Sequence, residues 1–160
     1  MATINATISV TSADLTSSPL ALSKTMTMTK AGTTTGLEFT SGLIRRKLTA
    51  VTQIDLIPTG AQVYGTAQAS SATTPNTQGA AGKLYIKNTG SSSVDFVTIG
   101  LGDATGAEEL DDGTSQITLG KLFGGDWMLI PYHGLANVGD VLAKPSTAEP
   151  MTIEWMLFFE

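Results

Sequence analysis

The chain has 160 residues and a formal net charge of −5, and 41% of its residues are hydrophobic while only 14% are charged. Its polar surface must come from hydroxyl groups and glycine, since 25 Thr, 13 Ser and 17 Gly accompany the few charged residues. This composition excludes a solvated helical bundle, whose outer faces need many charged residues. A sequence without Cys also excludes a zinc finger, a disulfide scaffold and a thiol enzyme.

The chain opens with two segments in which apolar and polar residues alternate. Residues 3–10 place Ile, Ala or Val at every second position, and residues 20–29 repeat the pattern with Leu and Met. Alternation of this kind has the period of a half-buried β-strand. A polar loop separates the two strands. We therefore interpret residues 1–19 as a candidate N-terminal arm that pairs with the sheet edge of a neighbouring molecule.

The next part of the chain holds its basic cluster. Arg45, Arg46 and Lys47 follow one another among the apolar residues of segment 37–50. On a strand, these charges either face an acidic partner or a neighbouring copy, or they protect an exposed sheet edge from aggregation. Three charges are too few for sequence-independent binding of nucleic acid at physiological salt. Contact with an acidic partner or a neighbouring copy, and protection of an exposed sheet edge, both stay open as interpretations of this cluster.

A long polar segment divides the chain near its middle. Residues 65–82 contain no large apolar residue and consist of Gly, Ala, Ser, Thr, Gln, Asn and Pro. A loop of this length inside a compact domain is usually functional or mobile. We therefore predict a long polar surface loop near 65–82, which becomes ordered where a partner covers it.

The second half of the chain carries the stronger strand signals. Residues 83–87 read as a strand, 88–93 as a turn and 94–100 as a returning strand, which together predict a β-hairpin. Gly100 and Gly102 stand at the end of this strand, where a turn explains them. Further strands are predicted at 117–119, 127–131, 141–142 and 151–159.

Short strands with frequent turn signals indicate the fold class. They predict an all-β fold, either a β-sandwich or a jelly-roll-like barrel of roughly 8–10 short antiparallel strands. No segment predicts a helix, and no internal repeat points to a propeller or a solenoid. A length near 150 residues is typical of one domain, so we expect residues 1–160 to form a single β domain.

The sequence offers little that suggests catalysis or metal binding. His133 is the one histidine, so a metal site would have no second His and no Cys, and no Gly-x-Ser-x-Gly motif supports a Ser-His-Asp triad. The acidic stretch 103–112 lacks the EF-hand pattern, so we interpret it as a solvated loop rather than a calcium site. We expect no enzymatic activity, no metal and no cofactor. A small hydrolase would depend on His133.

Aromatic residues gather in the C-terminal third of the chain. They are Trp127, Tyr132, Trp155, Phe158 and Phe159. Because Trp127 is followed by an apolar run, we assign these rings to the core of the sandwich. The alternative is an exposed platform on which sugars stack, as in a carbohydrate-binding module.

The charge of the chain is unevenly distributed. Residues 1–50 balance at +3, residues 51–100 at 0 and residues 101–160 at −8. A copy of the same chain or a patchy partner would complement such a molecule, although two loops of different sign are the simpler interpretation. The acidic balance argues against nucleic acid, and no apolar run approaches the ~18 residues of a membrane span. Residues 1–10 lack the features of a signal peptide, so we expect synthesis in a cytoplasm.

The second half also contains a series of short motifs at the ends and turns of its strands. In chain order they are Ile86-Lys87-Asn88, Thr98-Ile99-Gly100, Ile117-Thr118-Leu119, Gly125-Asp126, Pro131-Tyr132 and Ile153-Glu154-Trp155. With this series, residues 83–160 resemble small β-rich virion proteins of tailed bacteriophages. The family pattern has Pro before the Gly-acid turn, where this chain has Gly124.

The resemblance implies a structural role in the virion. It suggests a capsid decoration (cement) protein that self-associates, with a trimer favoured, and contacts the major capsid protein or other virion proteins. A tail, neck or fibre component is the alternative within the same class. The expected partners include neither nucleic acid nor membrane. The candidate contact residues are Ile4, Ile8, Arg45, Arg46 and Lys47.

Overall fold

The structure is a computed structural model that describes part of the chain. The described residues are 5–12, 20–28, 39–57, 82–102, 110, 117–132 and 140–159. Several predicted features lie outside them, namely Ile4, the loop from 65 to 81, His133 and all of the acidic stretch except Leu110.

The described part of the chain consists of β-strands and turns, without a helix. The strands are β1 (Asn5–Ser12), β2 (Leu20–Thr27), β3 (Phe39–Thr40), β4 (Ile44–Leu48), β5 (Ile54–Ile57), β6 (Gly82–Asn88), β7 (Phe96–Gly102), β8 (Ile117–Phe123), β9 (Trp127–Tyr132), β10 (Asp140–Pro145) and β11 (Met151–Phe159). The all-β prediction is confirmed, and the last strand has the predicted bounds.

Nine of these strands form two antiparallel sheets. Sheet I has the order β5-β10-β7-β8. Sheet II has the order β3-β11-β6-β9, and β4 also pairs with β11, beside β3. Strands β1 and β2 make a separate two-stranded hairpin. The two sheets pack into a β-sandwich, which confirms that prediction, while the jelly-roll alternative stays a prediction.

A single glycine explains why the described part has more strands than expected. Gly42 has a φ of 73°, a left-handed conformation that separates β3 from β4. Both strands pair with β11, and Ser41 between them keeps contact with it. The Ser41 N–H donates to the Leu157 carbonyl at 3.0 Å, and the Ser41 hydroxyl accepts from the Leu157 N–H at 2.9 Å. Segment 37–50 therefore supplies two strands instead of one.

The core of the sandwich lies between the two sheets. Side chains alternate along each strand, so every second residue of β6 and β11 points inward. Trp155 is 2% exposed at the centre, which confirms its assignment to the core. The buried cluster comprises Leu48, Leu56, Leu84, Ile86, Val97, Ile99, Leu122, Tyr132, Val141, Ala143, Met151, Ile153, Trp155 and Leu157.

The predicted hairpin over residues 83–100 is wrong, although both of its strands exist. Strand β6 belongs to sheet II and β7 to sheet I, so the turn between them carries the chain across the sandwich. Asn88 fixes this crossing because its buried side-chain amide donates to the Leu122 carbonyl at 3.0 Å. Its Oδ1 accepts from the Gly90 N–H at 3.0 Å. The two strands are neighbours in sequence but do not pair, because their placement in different sheets buries the inner faces of both.

The Gly124–Gly125 turn between β8 and β9 leaves no room for a proline at position 124. The Gly124 N–H donates to the Ser92 carbonyl at 2.8 Å, and a Cβ on Gly124 would overlap the backbone of Ser91 and Ser92. Proline has no N–H to donate and its ring would collide there. Gly125 has a φ of 91°, which suits the third position of a type II turn.

Gly100 lies inside β7, so the turn assigned to it is wrong. A Cβ there would overlap the side chain of Leu110 and would lie 2.8 Å from the Ile117 carbonyl oxygen. Leu110 is fully buried against the outer side of sheet I. The Gln53 amide oxygen accepts from its N–H at 2.6 Å, and the Lys144 ammonium donates to its carbonyl at 3.0 Å. Glycine is required here by close packing.

Candidate functional site

The outer face of sheet II is the candidate functional site. Its members are the outward residues of four strands, and cross-strand partners in the register share this face. On β6, Lys83, Tyr85 and Lys87 alternate with the buried Leu84 and Ile86. The other outward residues are Arg45, Lys47, Trp127, Leu129, Pro131, Thr152, Glu154, Met156 and Phe158.

One row of residues runs across the four strands β4, β11, β6 and β9 of this face. Arg45 lies opposite Glu154, Glu154 opposite Lys87, and Lys87 opposite Trp127. The row therefore sets a carboxylate between two cations and ends on an indole ring. Directly opposite residues have Cβ atoms about 5 Å apart, so neighbours in the row are within contact distance.

Glu154 is the ordered centre of this row. It is 8% exposed, and its two carboxylate oxygens accept from different donors. Arg45 Nε donates to Oε2 at 3.1 Å, and the Tyr85 hydroxyl donates to Oε1 at 3.1 Å. A buried carboxylate needs such partners, because desolvation of an unpaired charge is costly. The Arg45 side chain itself is 67% exposed, so solvent weakens the ion pair.

The Tyr85 hydroxyl has a raised pKa. Burial is the largest cause, because a low-dielectric environment disfavours the phenolate. The hydrogen bond to Glu154 and the negative charge of that carboxylate raise the pKa further. Tyr85 therefore stays a hydrogen-bond donor throughout the neutral range.

Beside the charged row, the face is aromatic and apolar, and the β1–β2 hairpin lies over it. Between the hairpin and the sheet is a cleft of about 400 Å³, which we call the hairpin cleft. The sheet contributes Tyr85, Trp127, Leu129, Met156 and Phe158. The hairpin side contributes Asn5, Ala6, Thr7, Ile8 and Met28. The volume lies within the usual range of small-molecule sites.

The hairpin turns two different sides to its surroundings. On the exposed side, the Thr7 and Thr25 hydroxyls lie 2.9 Å apart, and the Thr27 hydroxyl donates to Asn5 Oδ1 at 3.1 Å. On the other side, Ala6 and Ile8 are half-buried and line the cleft. Within the described residues, no backbone hydrogen bond joins the hairpin to either sheet.

Trp127 corrects the assignment of all the aromatic residues to the core. Its side chain is 50% exposed, whereas Trp155 is buried. The two tryptophans differ because the inward positions of β9 are Met128 and Ile130, which leaves Trp127 on the outer face. Sequence reasoning took the apolar run after Trp127 as a sign of burial, but that run occupies both faces of the strand.

The candidate contact residues occupy different surroundings. Arg45 is bound to Glu154, and Ile8 lines the hairpin cleft. Arg46 lies on the opposite side of β4 from Arg45 and donates from Nη1 to the Asp55 carbonyl of β5 at 3.0 Å, which links the two sheets. Lys47 is exposed on the outer face. The structure thus places Arg45 and Lys47 on one face and directs Arg46 to another.

Sequence reasoning missed three residues of this site, Tyr85, Lys87 and Glu154. Tyr85 and Lys87 alternate with Leu84 and Ile86, which did signal one outward face on β6. No spacing in the sequence links that face to residue 154. The register between β6 and β11 makes the connection. An acidic residue within the apolar last strand was the available signal.

Metal and membrane features are scarce in the described segments. Among these residues, no group of three or more His, Cys, Asp or Glu side chains could hold a metal ion. The same segments contain no helix with the length and apolar character needed to cross a membrane.

No protein-family model, curated protein or solved structure matches this chain.

Proposed function

We propose that this chain is a non-enzymatic structural protein of a tailed-bacteriophage virion. In this role it decorates and stabilises the capsid through symmetric self-association, as a trimer, and through contact with the major capsid protein. A place in the tail, neck or fibre is the alternative for the same architecture. The protein would be made in the host cytoplasm and would reside in the virion.

The exposed edge of β8 is the observation that carries the proposal. One side of β8 pairs with β7, and no other described strand pairs with its second side. Ile117 is 62% exposed and Leu119 is 37% exposed on this strand. Monomeric β proteins protect such edges with charge, proline or a covering segment, because apolar edges pair with other chains. A second copy or a capsid surface gives this edge a partner.

The residues that carry the phage resemblance support the same proposal. They fall in β6, β7, β8, β9 and β11 and in the turn between β8 and β9, and several of them are buried in the shared core. Asn88, from the Ile-Lys-Asn motif, and Asp126, from the Gly-acid turn, meet at that turn. The Asn88 N–H donates to the Asp126 carbonyl at 3.0 Å. Two of the motifs are thus joined directly by backbone hydrogen bonding.

The surface chemistry also suits contacts between many copies. Hydroxyl groups cover the exposed side of the β1–β2 hairpin, as the Thr7–Thr25 pair illustrates. Such groups are desolvated at lower cost than charges, so they can be buried in an interface without an ionic partner. On the outer face of sheet II, Lys47 offers an accessible cation to an acidic neighbour.

Quantitative mass spectrometry of purified particles of the phage that encodes this chain tests the location. A copy number comparable to that of the major capsid protein supports decoration. A copy number typical of a ring or a spike supports the tail, neck or fibre alternative. If the chain is missing from the particle, the structural proposal is overturned.

Self-association through the β8 edge is tested with charge substitutions. We expect the wild-type chain to have the mass of a trimer in light scattering, and the double variant Ile117→Lys/Leu119→Lys to be monomeric. Val94→Lys is the matched control, because Val94 is 77% exposed and lies outside the strands. An unchanged mass in the double variant, with an intact circular dichroism spectrum, would rule out this edge as the interface.

A further inference from the structure

We propose that the hairpin cleft, together with Lys87 and Lys83 beside it on the same sheet face, is a binding site for an acidic oligosaccharide, which stacks on Trp127 and Tyr85 and pairs its anionic groups with the two lysines. This site does not depend on the β8 edge that carries the virion proposal, because none of its residues lies on that strand. It is a ligand site of one chain.

The aromatic part of the site has the geometry of a stacking surface. Trp127 is 50% exposed at the edge strand β9, and Tyr85 lies on the neighbouring strand β6 within the same cleft. The hydrogen bond from Tyr85 to Glu154 fixes the position of its ring. Aromatic faces carry partial negative charge, so they attract the C–H groups of a sugar ring. A half-exposed indole is otherwise an unfavourable surface group.

The charged part of the site specifies an anionic ligand. Lys87 lies directly opposite Trp127, and Lys83 lies four residues away on the same face of β6, about 13 Å along the strand. Tyr85 stands between them. Neither lysine makes an ion pair within the part of the chain that the structure describes. On this face Lys83, Lys87, Arg45 and Lys47 outnumber the one carboxylate, Glu154, so the face attracts anions although the chain has a net charge of −5.

The size of the cleft and its rim favour an oligosaccharide over other anions. A cleft of about 400 Å³ holds a small ligand, and it is covered on one side by the β1–β2 hairpin. At this rim, Ala6 and Ile8 present apolar side chains, against which the C–H face of a sugar ring can pack. A nucleic acid would need a longer run of cations than this face provides. A purely apolar ligand would form no ion pair with the two lysines.

The test uses the full chain on an array that carries uronic, sialic and sulfated oligosaccharides, each beside its neutral parent. We expect retention of acidic members and at least about tenfold weaker binding of the neutral parents. Titration calorimetry with trigalacturonate and its methyl ester then separates charge from ring stacking. If no acidic glycan binds better than its neutral parent, the proposal is overturned.

Variants locate the binding to this face. Trp127→Ala should weaken binding of the best acidic glycan by at least about tenfold, and Lys87→Gln should weaken it several-fold and reduce its salt dependence. Lys121→Gln on sheet I is the matched lysine control and should bind like wild type. Wild-type affinity in the Trp127→Ala variant overturns the site. So does a change of that variant from oligomer to monomer in light scattering, which would make the face an interface between copies.

Discussion

The Tyr85–Glu154 hydrogen bond links the stability of the protein to pH. Because burial, and then Glu154, raise the pKa of Tyr85 above its ordinary value of 10.0, the folded state holds this proton more tightly than the unfolded state. The stabilising contribution is fully present below the unfolded pKa. It is lost as the pH rises through the folded pKa, so the affected window lies above about pH 10.

We predict that the stability difference between wild type and Tyr85→Phe shrinks at high pH. Urea unfolding of both proteins from about pH 7 to about pH 11 measures this difference, and the subtraction removes the titration of lysines common to both. The Glu154→Gln variant keeps an acceptor without its charge, so the folded-state pKa of Tyr85 moves toward its ordinary value and the alkaline loss of stability should be smaller. A difference that stays constant across the range would contradict the prediction.

At the scale of single elements, the β1–β2 hairpin differs from every other strand pair. Its eight residue pairs run from Asn5–Thr27 to Ser12–Leu20, yet it adds no strand to either sheet. An isolated two-stranded hairpin is only marginally stable in water. Its order therefore depends on how Ala6, Ile8 and Met28 are shielded from water where they line the cleft between the hairpin and sheet II.

We expect the backbone amides of β1 and β2 to exchange hydrogen for deuterium at least about tenfold faster than those of β6 and β11. The physical reason is that the hairpin opens without disturbing the core, whereas the central strands exchange only when the sandwich opens. Native-state exchange followed by mass spectrometry measures both, with β7 as the internal control from sheet I. Equal protection of the hairpin and β6 would show that the hairpin is integral to the sandwich.

At the scale of the whole molecule, the two sheets share one core. Trp155 of sheet II belongs to the same buried cluster as Val97 and Val141 of sheet I. Arg46 adds a polar link across the sandwich through the Asp55 carbonyl. Neither sheet could keep its inner face buried after losing the other, so we expect the sandwich to unfold as one cooperative unit.

The two tryptophans provide a matched test of this cooperativity. Trp155→Ala should lower the free energy of unfolding by about 3–5 kcal/mol, because it opens a cavity in the shared core. Trp127→Ala should change it by less than about 1 kcal/mol, because that side chain is on the surface. Denaturant unfolding by circular dichroism, with amide exchange in β7 and β6, measures both. Loss of protection in sheet II alone would contradict a single unit.

Much of the fold could be predicted from the sequence because its signals are local. Alternation with a period of two predicted the strands at 3–10 and 20–29, and short apolar segments next to turn residues predicted those at 83–87 and 151–159. The hairpin formed by β6 and β7 was predicted wrongly because their pairing depends on which sheet buries each strand. The buried Leu110 was also missed, although it is the one large apolar residue in its acidic stretch.

The candidate site could be predicted only in part. Trp127 was noticed as an aromatic residue, but its exposure depends on which face of β9 turns toward the core. Arg45 was selected for its charge, while its partner Glu154 is 109 residues away in the chain. The sequence by itself determined an all-β, charge-poor chain, because composition and alternation are properties of neighbouring residues. Only the tertiary structure decided which residues share a face, because strand register joins segments that no local pattern connects.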